Sequence, residues 1–209
     1  MHISNDRYFR ERQRHDLALR MIRHEARTCT IKSCTGLTED RIRRLCRTYA
    51  IHSDALPIRR RGKSPQRIAF FTRNAQLSFE SSCLTSVFVA FGLLRKSYDP
   101  SAEAASLEYG ALFCDAFETH LQLSRTTAIT FEHAWFLLQQ LNAGRSIQLT
   151  RCRQCHGQHL RDTVNTTACP TCRLRRPAHS RRAARKPTAA LLLARSLAPR
   201  HGHQERTSR

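Results

Sequence analysis

The sequence predicts a mainly α fold: a helical body with a helix-turn-helix-like N-terminal part and a C-terminal four-cysteine zinc module. Three observations predict it. Apolar residues recur at three- and four-residue spacing through most of residues 8–141. Helix-ending signals, Gly36 and Asn142-Ala143-Gly144 among them, fall where those runs stop. Two Cys-x-x-Cys pairs then close together within residues 152–172.

Residues 1–52 make the N-terminal region. Over 8–25, Leu17, Leu19, Met21 and Ile22 are apolar while charge fills most other positions, which predicts a partly exposed helix. Ile31 and Cys34 sit three apart in the next, short helix, and Thr35-Gly36-Leu37 breaks it. Thr38 is placed to N-cap a helix starting at Glu39. There Ile42, Leu45, Cys46 and Tyr49 form one apolar stripe, with Arg43, Arg44 and Arg47 on the other side. Residues 53–74 read as a basic linker containing Pro57, Pro65, Gly62 and the run Arg59-Arg60-Arg61. Residues 75–149 are apolar and helical in texture. Leu84, Val87, Phe88 and Phe91 share a face, as do Phe113, Phe117 and Leu121, and Phe131, Trp135, Leu138 and Leu141. Such spacing signals core or subunit contacts, and this region is the expected partner-binding part. Residues 150–178 form the four-cysteine module, and residues 179–209 a basic, flexible tail with Pro187 and Pro199.

Charge narrows the function. The 36 Lys and Arg residues against 16 acids give a formal +20, with lysine only at Lys32, Lys63, Lys96 and Lys186. Charged residues are 25% of the chain and hydrophobic ones 40%, which excludes a disordered polyelectrolyte. A polyanionic partner is the first implication, although GC-rich coding also enriches arginine. The longest apolar runs, 87–94 and 189–194, are too short for a membrane span of about 20 residues. The first residues carry no apolar leader. The expectation is a soluble cytoplasmic protein with reduced thiols. Nine cysteines, an odd number, then argue against a disulfide framework.

Cys152-Arg-Gln-Cys155 and Cys169-Pro-Thr-Cys172 have the spacing by which four thiolates converge on one tetrahedral Zn²⁺. With four protein ligands no coordination position stays open, so one structural zinc per chain is expected. Cys152 to His156 also spells the c-type haem attachment pattern, but that chemistry belongs to exported proteins. A thioredoxin-like dithiol needs a βαβ context, which is not seen. His156 and His159 are expected to be exposed, and Cys29, Cys34, Cys46, Cys83 and Cys114 to be small hydrophobes on helix faces. No nucleophile–base arrangement or phosphate-binding loop is visible, and no enzyme is expected.

Thr28 to Leu45 fits a helix-turn-helix at most packing positions: Ile31 and Cys34 inside, Gly36 in the turn, Leu37 as the plug, Ile42 and Leu45 in the second helix. Lys32 stands where that motif usually has a small residue. In this reading Arg41, Arg43, Arg44 and Arg47 project from a recognition helix toward DNA, with Arg59, Arg60 and Arg61 as further contacts. An ordinary helical hairpin with a solvated basic face fits the same residues.

Taken in order, these features resemble the FlhC family, a subunit of the bacterial flagellar master transcriptional activator. The resemblance covers roughly residues 12–178. It is strongest at Asp16 to Tyr49 and from Phe131 to Cys172, including His133-Ala134-Trp135 and Ser146-Ile147-Gln148-Leu149. It implies a mostly helical protein with zinc on Cys152, Cys155, Cys169 and Cys172. It further implies an FlhD-type partner in a heterohexamer of two C-type and four D-type chains. That assembly would bind promoter DNA of flagellar operons and recruit RNA polymerase. The spacer between the cysteine pairs is shorter and the arginine-rich tail heavier than the family's usual pattern. The alternative is an RNA-binding zinc-ribbon-like protein without promoter specificity, although aromatic-rich strands for base stacking are missing.

Overall fold

The computed structural model describes residues 2–52, 65–94, 103–124, 126–144, 146–163 and 168–175. Residues 1–174 form one compact unit, and 175–209 a second, which beyond Arg175 lies outside the described residues. Arg59, Arg60, Arg61 and the tail from 179 therefore fall outside them too.

Among the described residues, seven helices come first: α1 (His2–Arg23), α2 (Thr28–Thr35), α3 (Glu39–His52), α4 (Ala69–Thr72), α5 (Ala75–Ala90), α6 (Glu103–Leu123) and α7 (Phe131–Ala143). A hairpin of β1 (Ile147–Arg151) and β2 (Gln158–Asp162) and a short helix, α8 (Pro170–Arg175), follow. The molecule is mainly α, as the periodicity predicts.

Local chemistry sets the ends. Asn74 caps α5 by accepting from the Leu77 amide at 2.7 Å, and Thr130 caps α7 through the His133 amide at 3.3 Å. Gly144 ends α7 at φ 64°, in the left-handed region that suits glycine. Helix α2 has Arg27 at its N-cap and no cap from a neighbouring side chain in sequence. Its acceptor comes from α7: buried Glu132 takes the Arg27 amide at 2.8 Å and the Thr30 hydroxyl at 3.1 Å. A carboxylate there also faces the positive end of the helix dipole.

Helix α6 runs through the centre, against α1, α2, α5 and α7. Its Gly110 lets α2 come close, since a Cβ there would lie 2.8 Å from Cys34 Cβ and 3.1 Å from Leu17 Cδ2. Phe113 sits edge-on to both Phe131 and Trp135 at 4.9 Å between centroids, and Phe117 edge-on to Phe131 at 5.2 Å. Arg20 of α1 bonds Asp115 and Glu118 of α6 at 2.5–2.8 Å, and His24 reaches Glu118 at 2.8 Å.

Several details differ from the sequence expectations. The stretch read as linker to residue 74 contains α4, whose Phe71 is fully buried and Thr72 buried, so this part of it reaches into the core. Residues 147–162 form an antiparallel hairpin, pairing Ile147 with Asp162 and Arg151 with Gln158. Five-residue strands give too few positions for an alternation to stand out. His159 is buried, and only His156 is exposed. Among the non-quartet cysteines, Cys34 and Cys114 are buried, and burial pushes both thiols up to about 12. Cys29, expected on an apolar face, is exposed, since α2 turns Ile31 and Cys34 inward instead.

Candidate metal centre and nucleic-acid interface

The hairpin delivers the first cysteine pair. Leu160 is fully buried, and its amide donates to Ser82 Oγ of α5 at 3.1 Å, while buried Ile147 anchors the other strand. The connection from 152 to 157 is therefore held at a fixed place. Within it the Cys152 amide donates to Gly157 O at 2.9 Å and the His156 amide to Cys152 O at 3.0 Å. His156 takes φ 55°, the left-handed conformation that reverses the chain after the second cysteine. The second pair arrives on α8, whose Arg173 amide donates to Cys169 O at 3.0 Å.

These two pieces bring the four predicted sulfurs together. Cys152 Sγ lies 3.8 Å from Cys172 Sγ, Cys155 Sγ lies 3.6 Å from Cys169 Sγ, and all four fall within 4.8 Å of one another. A tetrahedron of sulfurs about 2.3 Å from a central ion has edges of about 3.8 Å. Disulfides, at about 2.05 Å, are excluded by the same distances. Cys169 is buried and the other three are half-buried. The amides of Cys155 and Gln154 stabilise the Cys152 thiolate, pulling it down to about 6. Desolvation and the neighbouring sulfurs push Cys172 up to about 12. Four sulfurs this close can share one cation, and the donor set fits one metal ion.

The candidate interface lies elsewhere in the unit, on α2, its turn and α3. Gly36 takes φ 68° and its amide donates to Lys32 O at 2.9 Å. Leu37 is buried in the turn, Ile31, Cys34 and Ile42 are buried, and Leu45 packs against the same core. Thr38 Oγ1 accepts from the Arg41 amide at 3.4 Å, the cap expected for α3. Lys32 is exposed, so its size does not obstruct the pair.

The four α3 arginines are all exposed but not equivalent. Arg41 pairs with Glu11 of α1 at 2.6 Å, and Arg43 with Glu39 and Asp40 at 3.1 and 3.0 Å. Arg44 and Arg47 have no ion-pair partner among the described residues. They lie opposite the Ile42–Leu45–Tyr49 stripe and point away from the body. Sequence reasoning treated the four alike, because a partner on α1 leaves no trace in local spacing.

The sequence profile of flagellar transcriptional activator FlhC matches residues 3–189. Individually curated proteins give no match. Among the described residues no helix is long and apolar enough to cross a membrane. The profile spans the helical body, the helix-turn-helix-like pair and all four clustered cysteines, and the chain belongs to the FlhC family of flagellar transcriptional activators.

Proposed function

We propose that this chain is the DNA-binding subunit of a transcriptional activator, which with an FlhD-type partner binds promoters of flagellar operons and recruits RNA polymerase. The observation that carries the reading is the α2–turn–α3 pair, with Gly36 and Leu37 shaping the turn and unopposed Arg44 and Arg47 directed outward. Arginine presents a planar fork that matches guanine edges or phosphate oxygens. Arg41 and Arg43 also belong to this surface, but each must give up a carboxylate to reach DNA. The run Arg59-Arg60-Arg61 is assigned to phosphates on sequence alone, as is the tail.

Zn²⁺ is the metal proposed for the quartet. Four thiolates favour a soft, tetrahedral ion and leave no site for substrate or water, so its role is structural. When bound it ties the 152–157 turn to α8. That fixes where exposed Arg151, Arg153, Arg161, Arg173 and Arg175 stand around the module.

Arg44→Ala and Arg47→Ala should each cost about 1–3 kcal/mol of operator binding if they touch bases, or lower the salt slope by about one if they touch phosphates. Arg43→Ala should cost less, because Glu39 and Asp40 already hold its guanidinium. Titration of promoter DNA with the chain and its partner, at several salt concentrations, checks both. Wild-type binding by Arg44→Ala and Arg47→Ala refutes the recognition-helix assignment. Equal affinity for single-stranded RNA and promoter DNA would favour an RNA-binding role instead.

A further inference from the structure

His120 of α6 is 1% exposed, and neither of its ring nitrogens has a hydrogen-bond partner among the described residues. A neutral imidazole carries one donor and one acceptor, and burying both unmet is costly and rare. The charge that faces it is Glu80 of α5, whose Oε1 lies 3.9 Å from His120 Nε2. That gap is too wide for a hydrogen bond, and about 1 Å wider than a charge-assisted one. The same oxygen is already in use: Thr127, between α6 and α7, donates its hydroxyl to Glu80 Oε1. Thr127 Oγ1 in turn accepts from the Ile129 amide at 3.0 Å. Just beyond, Thr130 caps α7, and Glu132 in the first turn of α7 holds the start of α2. One carboxylate oxygen thus stands between a buried, unpartnered imidazole and the connection on which the α2 cap depends.

We propose that His120, Glu80 and Thr127 form a proton-operated latch on the α6–α7 connection, which takes up a proton in mildly acid solution and loosens the start of α7. With the imidazole neutral, Glu80 holds Thr127. A proton turns His120 Nε2 into a donor facing a carboxylate whose side chain is only 11% exposed, and the ion pair closes by drawing Oε1 toward α6. Thr127 is left without its acceptor, and the Ile129 amide and the Glu132 cap lose their anchor. The latch therefore sets how firmly the helix-turn-helix-like pair is held, whatever that pair binds.

Glu80 is the charge that governs this proton. Burial pushes His120 down from its ordinary 6.5, and Glu80 pulls the other way. The remaining groups around it are engaged elsewhere. On α6, Asp115 and Glu118 bond Arg20 of α1, and Glu118 also bonds His24. On α7, Glu132 is taken by Arg27 and Thr30 of α2, and His133 by Thr130. Lys32 of α2 is exposed, and on α5 burial, reinforced by Glu80, pushes the Cys83 thiol up. Because folded His120 holds its proton less tightly than unfolded His120, its effect is to weaken the fold as pH falls below 6.5.

The test follows the His120 imidazole of the full chain by NMR and compares amide exchange, corrected for intrinsic rate, at about pH 7.5 and about pH 5.5. Protection at residues 126–135 should be at least about tenfold lower at the acid end, with a smaller loss at 28–35 and none at Leu160, which Ser82 holds. His120→Gln, similar in size and unable to titrate there, should abolish the difference. Glu80→Gln removes the counter-charge and should move the transition to lower pH, which keeps the test decisive if the His120 variant fails to fold. Thr127→Val should show the loosened connection already at neutral pH. Equal wild-type protection at both ends overturns the latch. A wild-type transition persisting unchanged in His120→Gln or in Glu80→Gln assigns the proton to another group and overturns it as well.

Discussion

Replacing Glu132 with alanine should loosen the helix-turn-helix-like pair without changing any of its own residues. Glu132 is 3% exposed, and its carboxylate receives the Arg27 amide at 2.8 Å and the Thr30 hydroxyl at 3.1 Å, with Arg27 Nε 3.8 Å away. Both donors are at the start of α2, which has no other side-chain cap. Truncation removes the acceptor of two donors and the carboxylate beside a guanidinium that is itself only 14% exposed. Each orphaned donor to a charged group costs about 1.5–3 kcal/mol, and breaking a buried ion pair from one side about 3–5 kcal/mol in all. The two figures describe the same loss, so about 3–5 kcal/mol is the expectation. For a domain of this size that lowers Tm by about 10 °C. Urea unfolding followed by circular dichroism measures the global loss, and hydrogen exchange at residues 28–35 its location. Glu132→Gln keeps one carbonyl acceptor and should fall between the variant and wild type. A loss below about 1 kcal/mol, or unchanged exchange in α2, would show that the helix does not depend on the cap from α7.

Three further outcomes follow from the same geometry. Gly110→Ala should destabilise by about 1–3 kcal/mol in urea, since its methyl would lie 2.8 Å from Cys34 Cβ, and the packing loss outweighs the roughly 1 kcal/mol that alanine gains in a helix. Arg20 and His24 hold the Glu118 carboxyl down to about 2 from its ordinary 4.5, so its stabilising contribution is present above 4.5 and lost as pH falls through about 2. Glu118 is 35% exposed and screened by solvent, so Arg20→Met should flatten the acid limb of a stability–pH curve by about 1 kcal/mol or less. Cys155→Ser should remove the metal, read by elemental analysis, and release residues 152–157 and 168–175 to rapid hydrogen exchange. Protection at Leu160 should persist in that variant, because its amide is held by Ser82 rather than by the metal.

Both candidate sites were legible in the sequence to different depths. The quartet was readable because Cys-x-x-Cys fixes two sulfurs locally, and only the pairing of the two halves needed the fold. The turn was readable because the adjacent residues Gly36 and Leu37 have distinct jobs. What escaped were relations across the chain. Nothing in local spacing marks Glu132, whose partners lie over a hundred residues earlier. The hairpin was missed because its short strands are covered on one face by α5 and α7 and end in a turn dominated by cysteine. His159 looked free for solvent, but a strand position facing the body buried it.

Those cross-chain relations also change what a charge of +20 means. The acids are few, and many of those in described places are struts: Glu132 to the start of α2, Asp115 and Glu118 to α1, Glu11 to α3, Glu80 beside His120. A carboxylate used to join helices cancels an arginine at the joint and does nothing for the positive charge elsewhere. Arg20, Arg27 and Arg41 are thereby drawn into the architecture, while Arg44 and Arg47 keep their full field at one exposed helix face. A protein can carry a large excess of one sign and still direct it, if the scarce sign is used for construction. By that logic, converting a strut such as Glu11 to glutamine should strengthen non-specific DNA binding by freeing Arg41, while adding an acid beside Arg44 should weaken operator binding with little effect on stability. Salt-dependent titration of both variants separates charge that builds the fold from charge that meets the partner.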